Sequence, residues 1–440
     1  MKRIILFLVA ASLIFAGCKK DDDTVFDQSP DVRLNDALTK YQSVLSGAQY
    51  GWKALLFPQG GGAYFFYIKF NDANRVQMIS DFDSASALTV KESSYRLKAL
   101  QQPSLIFDTY SYIHLLSDPD ASINGGAFGQ GLLSDFEFYF NDSTSADTLK
   151  LTGRMNGSRF VMTKATEAEA NAFTSGQLKT YLFKNDLGQI QQYFKRFTIG
   201  TSNYDVNVDL ATKKIIFTWT DGQGNVLSYT TTFYFTLNGI ALEKPFVDGS
   251  TVISEFTDFS FSSSTSTINL NASGTAASIK GVSAPIVVDK DAPRRWRQYS
   301  IDNSLYWISL NGFHVNGVDD AYGIKTLSTD TSNFYYLIYW AQPGGQSYDI
   351  HAPVFLNRGD SLDINYGIAQ RANLLSDGRV TFRYVGDLLA GPFPTTGPAV
   401  LTRDQLLSPQ GYYLVQTGPI TYDMVSAADS RIWITWLYPF

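Results

Sequence analysis

Alternating aromatic and polar residues are the feature that most constrains how this chain of 440 residues can fold. In the segment DFEFYF, residues 135–140, the three phenylalanines share one face, and TTFYFTL, residues 231–237, repeats the pattern. A period of two is typical of β-strands with one buried face. Aromatic residues reach 15% of the chain and glycines number 34, which favours strands joined by turns. The sequence predicts a mainly β protein of modular antiparallel sheets, arranged as barrels or sandwiches.

Helical signals are few and are concentrated near chain segments that join the predicted sheets. Ser29 is placed as an N-cap with Pro30 at the first helical position, and an apolar stripe then extends to Ala48. We therefore predict a helix over about residues 30–48. Thr166 and Glu169 have the spacing of a capping box, and a further helix is expected between residues 178 and 197.

Two segments that contain glycine, proline or clustered charged residues suggest domain boundaries. One is the polar stretch at Ser175 and Gly176, and the other is VVDKDAPRR, which ends at Arg295. We predict that residues 29–175 hold the N-terminal helix and a first β module. A second β module is expected over residues 176–290, and an aromatic-rich C-terminal β module over residues 291–440.

The N-terminus carries the features of a secretory signal peptide. Positive charge at Lys2 and Arg3 precedes an apolar segment over residues 4–16 that is too short to be a stable membrane anchor. Small residues then precede Cys18, the only cysteine in the chain. The stretch resembles a bacterial lipobox, although Phe15 stands where leucine is usual. The resemblance implies cleavage after residue 17, lipidation of Cys18, and a tether over residues 18–28.

The residues that follow Cys18 resemble a sorting signal. The run KKDDD is similar to the acidic signal that directs Bacteroidota lipoproteins to the outer face of the outer membrane. We expect a lipid-anchored protein of the outer membrane that faces the cell exterior. A solvated linker is the alternative interpretation of such a charged run.

The composition and motifs argue against several functions. A net charge of −6 disfavours nucleic acid as a partner. His114, His314 and His351 lack the spacing of zinc ligands, and His114 in the segment SYIHLL is interpreted as a structural residue of a strand. No serine-hydrolase elbow is present, so we predict no catalytic residue, no metal and no cofactor.

Carboxylates leave two further alternatives open. Glu137 and Glu255 lie beside the alternating phenylalanines and could serve a glycosidase at a barrel mouth, although a solvent-facing position is the commoner explanation. The loop of residues 118–126 begins like a calcium-binding loop but lacks the required glycine and glutamate, which favours a hairpin loop. The pairs at residues 81–83 and 319–320 are interpreted as turn or loop residues.

Five of the seven tryptophans fall after Arg295, in segments that are aromatic on both strand faces. Such strands are most often buried, but some rings could form a platform for a flat ligand. The motif RRWR, residues 294–297, places cations beside Trp296, where they could help to hold an acidic or planar ligand. The alternative interpretation is that these arginines pair with nearby aspartates. Trp433 and Trp436 are three apart in a predicted strand and must point to opposite faces. The candidate ligand-binding residues are Trp296 together with Trp433 or Trp436, but not both.

Four long segments of the chain resemble one family. They are GWKALLFPQGGGAYFFYIKF, SSYRLKALQQPSLIFDTYSYIHLLSDP, SDFEFYF and GYYLVQTGPITYDMVSAADSRIWITW. Together they are similar to a Bacteroidota family of uncharacterised surface lipoproteins, a domain of unknown function encoded near SusC- and SusD-type nutrient importers. The resemblance implies a non-catalytic accessory that captures a glycan or another nutrient for such an importer. There are two alternatives: a degradative enzyme, such as a glycosidase, and a structural partner of the importer.

The lipid anchor gives a direct test. The variant Cys18→Ala should be released from the membrane fraction, because it lacks the thiol that carries the lipid. Protease added to intact cells should degrade the wild-type protein if it faces outward. Full protection of the wild-type protein in intact cells, with degradation only after lysis, would contradict the surface location.

Overall fold

The computed structural model describes residues 29–99, 102–328, 331–359, 361–388 and 391–439. The predicted fold class is confirmed, since two closed antiparallel barrels of eight strands each are followed by a ten-stranded sheet. Cys18 and the signal peptide lie outside the described residues. The domain limits near residues 175 and 290 stay a prediction.

The first barrel follows the N-terminal helix α1, Pro30–Ser46. Ser29 caps this helix by accepting a hydrogen bond from the Val32 N–H, as the sequence predicts, and the ring of Tyr41 stacks on Phe140 at 3.8 Å between centroids. The helix thus covers one end of the barrel. Its strands are β1 Trp52–Phe57, β2 Tyr64–Phe70, β3 Arg75–Ser80, β4 Lys91–Ala99, β5 Pro103–Phe107, β6 Glu137–Phe140, β7 Thr148–Gly153 and β8 Arg159–Lys164. Its short connecting helices are α2 Ser84–Leu88, α3 Tyr112–Leu115 and α4 Ala121–Asn124.

Two helices lead from the first barrel to the second. Helix α5, Glu167–Thr174, begins with the predicted capping box of Thr166 and Glu169, and α6 spans Thr180–Gln189. Phe183 of α6 packs against Phe259 at 4.8 Å, so α6 lies against the core of the second barrel. The strands of this barrel are β9 Phe194–Ile199, β10 Ser202–Asp209, β11 Lys214–Thr220, β12 Val226–Thr236, β13 Gly239–Asp248, β14 Thr251–Ser262, β15 Thr267–Ala272 and β16 Thr275–Val282.

The C-terminal sheet begins after helix α7, Ala292–Asn303. Its order is β17-β19-β20-β22-β23-β24-β25-β26-β18, with β21 beside β20, and Ile308 of β17 also pairs with Leu437 of β26. The strands are β17 Trp307–Ser309, β18 Phe313–Val315, β19 Ser332–Trp340, β20 Asp349–Asn357, β21 Leu362–Asp363, β22 Ile368–Leu374, β23 Arg379–Asp387, β24 Tyr412–Gly418, β25 Thr421–Ser426 and β26 Ile432–Leu437. Two 3₁₀ turns, Ile324–Leu327 and Pro343–Gly345, and helix α8, Pro398–Leu406, connect them.

Aromatic side chains fill the interiors of the barrels. Phe138 and Phe160 meet at 4.8 Å in the first barrel, and Phe217 and Phe246 meet at 4.5 Å in the second. The alternation in DFEFYF holds for Phe138 and Phe140, which are buried, but not for Phe136, which is 40% exposed. The reason is that β6 begins only at Glu137, so Phe136 precedes the strand.

The segment around His114 is a helix rather than the strand expected from SYIHLL. Ser111 precedes the short helix α3, and the His114 Nδ1 accepts a hydrogen bond from the Ser111 N–H. The other ring nitrogen lies 3.1 Å from the carbonyl oxygen of Phe107. This local capping prevents the segment from remaining extended, and it gives His114 the structural role that was expected.

Asp81 and Lys213 form a buried ion pair between the two barrels. The Lys213 Nζ lies 2.6 Å from Asp81 Oδ1, and the side chains are 3% and 0% exposed. The carboxylate also accepts the backbone N–H of Phe65 in the first barrel and of Phe235 in the second, each at 2.9 Å. Asp81 is in a loop, as predicted, but the sequence did not reveal that it is buried.

Removing the Asp81 charge should destabilise the protein strongly. Asp81→Asn leaves the Lys213 ammonium buried without a counter-ion, which is expected to cost about 3–5 kcal/mol of unfolding free energy. The matched control is Lys164→Met, because the exposed Lys164–Asp147 pair has a similar distance of 2.9 Å and should contribute less than about 1 kcal/mol. Urea denaturation measures both. Equal losses in the two variants would show that the buried pair does not hold the barrels together.

His351 is buried in the C-terminal sheet among aromatic rings. Tyr339, Phe382 and Trp436 lie 5.1–5.6 Å from it between ring centroids. Burial lowers the pKa of His351 to about 4, and the nearby Gln370 and Asp349 oppose the shift only in part. The folded sheet therefore holds a neutral imidazole at neutral pH.

This burial predicts acid sensitivity. Since the pKa is about 4 in the folded state against 6.5 for an ordinary histidine, the unfolded chain takes up the proton first as the pH falls. The His351 contribution to stability should fall by about 3 kcal/mol in total between pH 6.5 and pH 4 and should not change further below that range. His351→Leu should lack this component of the pH dependence. Urea unfolding followed by tryptophan fluorescence at several pH values measures it, and identical pH profiles for both proteins would refute it.

Candidate functional site

A cleft of about 860 Å³ lies between the second barrel and the C-terminal sheet. One wall comes from β10 and β11 of the barrel, and another from residues 187–195, which comprise the end of α6, the joining segment 190–193 and the start of β9. The C-terminal sheet contributes His314, Trp433 and residues 415–417. The volume falls in the range of small-molecule sites, whereas the barrel interiors are filled with side chains.

Trp433 and His314 form a stacked pair at the wall of the cleft. They are directly opposite each other on β26 and β18, which places both side chains on one face of the sheet. Their ring centroids are 3.6 Å apart with an angle of 24° between the planes. A small cavity of about 100 Å³ lies beside the pair, lined by Asp319 and Thr435 among others.

Hydrogen bonds hold the imidazole of His314 in one orientation. Nδ1 lies 2.6 Å from Asp319 Oδ1, and Nε2 accepts the N–H of Gly317 at 3.1 Å. These partners assign the proton to Nδ1. Gly317 has φ of +81°, a left-handed backbone conformation that favours glycine at this turn. The turn assignment for Asp319 was right, but its contact with His314 was not foreseen.

Tyr193 ties the joining segment to the C-terminal sheet. Its hydroxyl donates to Asp423 Oδ2 at 2.7 Å, and Thr435 Oγ1 donates to the other carboxylate oxygen at 2.7 Å. The Tyr193 ring meets Trp433 edge-on at 5.5 Å. Burial and the Asp423 charge raise the pKa of Tyr193 well above its ordinary value, so the hydroxyl keeps its proton. This wall of the cleft is therefore fixed by bonded side chains.

Lys195 and Asp205 are the lysine and the carboxylate that line the cleft. Asp205 is engaged on both oxygens, since Oδ1 pairs with Arg196 Nε at 2.9 Å and Oδ2 accepts the Ile286 N–H. Lys195 Nζ donates to the carbonyl oxygen of Gln192 at 3.1 Å, and within the described ranges it has no carboxylate partner. Burial lowers the pKa of Lys195 to about 8.

The predicted ligand-binding tryptophans lie in different environments. Trp433 is half-buried and lines the cleft. Trp296 is fully buried rather than exposed, because it lies on the inward face of α7 and stacks on Tyr339 at 4.1 Å. Trp436 is also buried, on the opposite face of β26 from Trp433. Of the three predicted tryptophans, only Trp433 lines this cleft.

The three arginines of RRWR pair with aspartates, which agrees with the second of the two interpretations of this motif. Arg294 pairs with Asp291 at 3.1 Å and Arg295 with Asp289 at 2.5 Å. Arg297 reaches the buried Asp349 at 2.8 Å.

The other acidic candidates are not brought together. Glu137 lies on β6 of the first barrel and Glu255 on β14 of the second, so they do not form a carboxylate pair. Asp120 caps the short helix α4 by accepting the Ser122 N–H. Across the part of the chain that the structure describes, no three His, Cys, Asp or Glu side chains lie close enough to hold a metal ion. No described helix is both long and apolar enough to span a bilayer.

The sequence did not identify Lys195, Tyr193 or His314 as site residues. Lys195 follows an aromatic residue in an ordinary strand pattern, and nothing local marks it as unpaired. Tyr193 and Asp423 are 230 positions apart, so their contact is not visible in any motif. The missing information is the packing of the second barrel on the C-terminal sheet.

The architecture is that of a mainly β protein with two barrels in tandem and an open cleft beside the second. The chain belongs to the family described as a domain of unknown function, DUF4302, whose model matches residues 22–259. The match includes Tyr193 and Lys195, whereas His314 and Trp433 come from outside it. No curated protein matches the chain.

Two solved structures show remote likeness. One is a protein of unknown function of the DUF3598 family from Nostoc punctiforme, with 10% identity, a TM-score of 0.15, and coverage of 73% of this chain and 95% of that chain. The other is isotype 1 transferrin binding protein B from serogroup B Neisseria meningitidis, with 9% identity, a TM-score of 0.16, and coverage of 88% and 76%. TM-scores this low establish no shared fold.

Proposed function

We propose that this protein is a lipid-anchored surface protein that binds a small nutrient ligand in the cleft without altering it chemically. The observation that carries the proposal is the cleft of about 860 Å³ with the Trp433–His314 pair at its wall. Aromatic rings offer flat apolar area to sugars and other planar groups. Because side chains fill the interiors of both barrels, a ligand of this size would fit in the cleft and not inside a barrel.

The geometry of the polar groups supports binding over catalysis. Both ring nitrogens of His314 are engaged by Asp319 and Gly317, which leaves neither free to accept a proton from a substrate. Asp205 is likewise occupied by Arg196 and a backbone N–H. Among the described residues that line the cleft, neither His314 nor Asp205 is therefore free to act as a general base.

The cellular part of the proposal rests on the sequence. Lipidation at Cys18 and the acidic run after it would place the cleft outside the outer membrane. There the protein would act as an accessory to a SusC- and SusD-type importer and raise the local concentration of a glycan or another nutrient. Moderate affinity with fast release suits that task better than tight capture.

Replacing Trp433 tests the cleft as the binding site. The chain from residue 19 onward should be screened against a panel of glycans and haem by isothermal titration calorimetry. For a ligand that binds, Trp433→Ala should weaken affinity roughly tenfold or more, equivalent to about 1.4 kcal/mol, because the ring surface is lost. Trp340→Ala is the matched control, since this tryptophan is also half-buried but does not line the cleft. Unchanged affinity in a folded Trp433→Ala protein would exclude the cleft.

A further inference from the structure

We propose that the cleft binds an anionic ligand and that the Lys195 ammonium holds the ligand's carboxylate or phosphate group. This inference rests on the proposed binding function and specifies its ligand class. It follows from the balance of charges and hydrogen bonds around the cleft rather than from any single residue.

The charged and titratable groups that face the cleft come from four parts of the chain. The joining segment and β9 contribute Tyr193 and Lys195, β10 contributes Asp205, and β18 contributes His314. Tyr193 is protonated, Asp205 is neutralised by Arg196, and His314 is held by Asp319. Among these described groups, Lys195 is the one whose charge has no opposite charge beside it.

Lys195 also has hydrogen-bonding capacity to spare. An ammonium carries three N–H donors, and the contact with the Gln192 carbonyl oxygen uses one of them. The amine is partly removed from water, which is why its pKa is lowered to about 8. An anion bound there would supply the missing counter-charge and the missing acceptors. A neutral ligand would supply acceptors alone.

The rest of the cleft suits a ring-sized body. Trp433 and His314 form the aromatic wall, and Ile216, on the outer face of the second barrel, also lines the cleft. A ligand with a compact ring and one acidic group matches this combination of apolar walls and a single unpaired cation. Acidic sugars and sugar phosphates share that chemistry.

Matched acidic and neutral probes test the inference. D-galacturonate with D-galactose, and glucose 6-phosphate with glucose, are titrated by calorimetry into the chain from residue 19 onward, and inorganic phosphate is titrated alone. The acidic member of at least one pair should bind tenfold or more tightly than its neutral partner. A preference confined to galacturonate would identify a carboxylate site, and one confined to glucose 6-phosphate and phosphate a phosphate site.

Lys195 variants show whether the preference depends on the amine. Lys195→Met should abolish the difference between acidic and neutral probes, whereas Lys195→Arg should retain it because the charge remains. Lys244→Met is the matched control, since Lys244 is an exposed lysine of the same barrel whose contacts run through its backbone. Circular dichroism checks that each variant is folded. The Arg variant keeps the test decisive if the Met variant does not fold.

The pH dependence gives a second readout. The amine is charged below its pKa of about 8 and loses its charge above it, so affinity for the acidic probe should fall above pH 8 in the wild-type protein. In Lys195→Arg the affinity should stay level to about pH 9.5, because the guanidinium remains protonated. A merely structural role for Lys195 would not produce this difference.

The outcomes separate the two proposals. Equal binding of acidic and neutral probes, lost in Trp433→Ala but unchanged in Lys195→Met, would overturn the anion inference and leave the binding function standing. Absence of any binding that depends on Trp433 or Lys195 would overturn both.

Discussion

One carboxylate, that of Asp81, fixes the arrangement on which the rest of the molecule depends. It accepts backbone N–H groups from Phe65 in the first barrel and Phe235 in the second, and it pairs with Lys213. Hydrogen bonds tolerate little change in length, so three of them to one group define how the barrels meet. As a result, side chains on the outer face of β2 and β3 join the core of the second barrel. This explains why both faces of β2 are apolar and buried.

Closing both barrels and filling them with aromatic rings determines where a ligand can bind. A closed sheet has no unpaired edge, and these interiors hold phenylalanines in contact at about 5 Å. A ligand therefore cannot enter a barrel without displacing core side chains, which would cost several kcal/mol. Space remains where the second barrel meets the C-terminal sheet. The short strand β18, added beyond β26, brings His314 to that place.

Local patterns predicted the strands, the first helix and the capping box, because each depends on neighbours within a few positions. Closure of the barrels, the burial of Asp81 and the presence of Lys195 and Trp433 in the lining of one cleft depend on contacts between residues far apart in sequence. Trp296 is an instructive case. Ala292, Trp296 and Ser300 are four positions apart and all buried on α7, a helical stripe that the flanking arginines obscured. Recognising a helix there would have predicted a core position for Trp296.

The two walls of the cleft are joined strongly enough to act as one body. Tyr193 bonds to Asp423 through its hydroxyl and to the Ser430 carbonyl through its backbone N–H, and the Ser430 hydroxyl donates to the carbonyl of Val282 at the end of the second barrel. Lys195 is only two residues from Tyr193, so its position relative to Trp433 is set before a ligand arrives. Binding to such a site requires little ordering of the protein, which spares entropy and permits fast exchange. That property is consistent with the binding function proposed above.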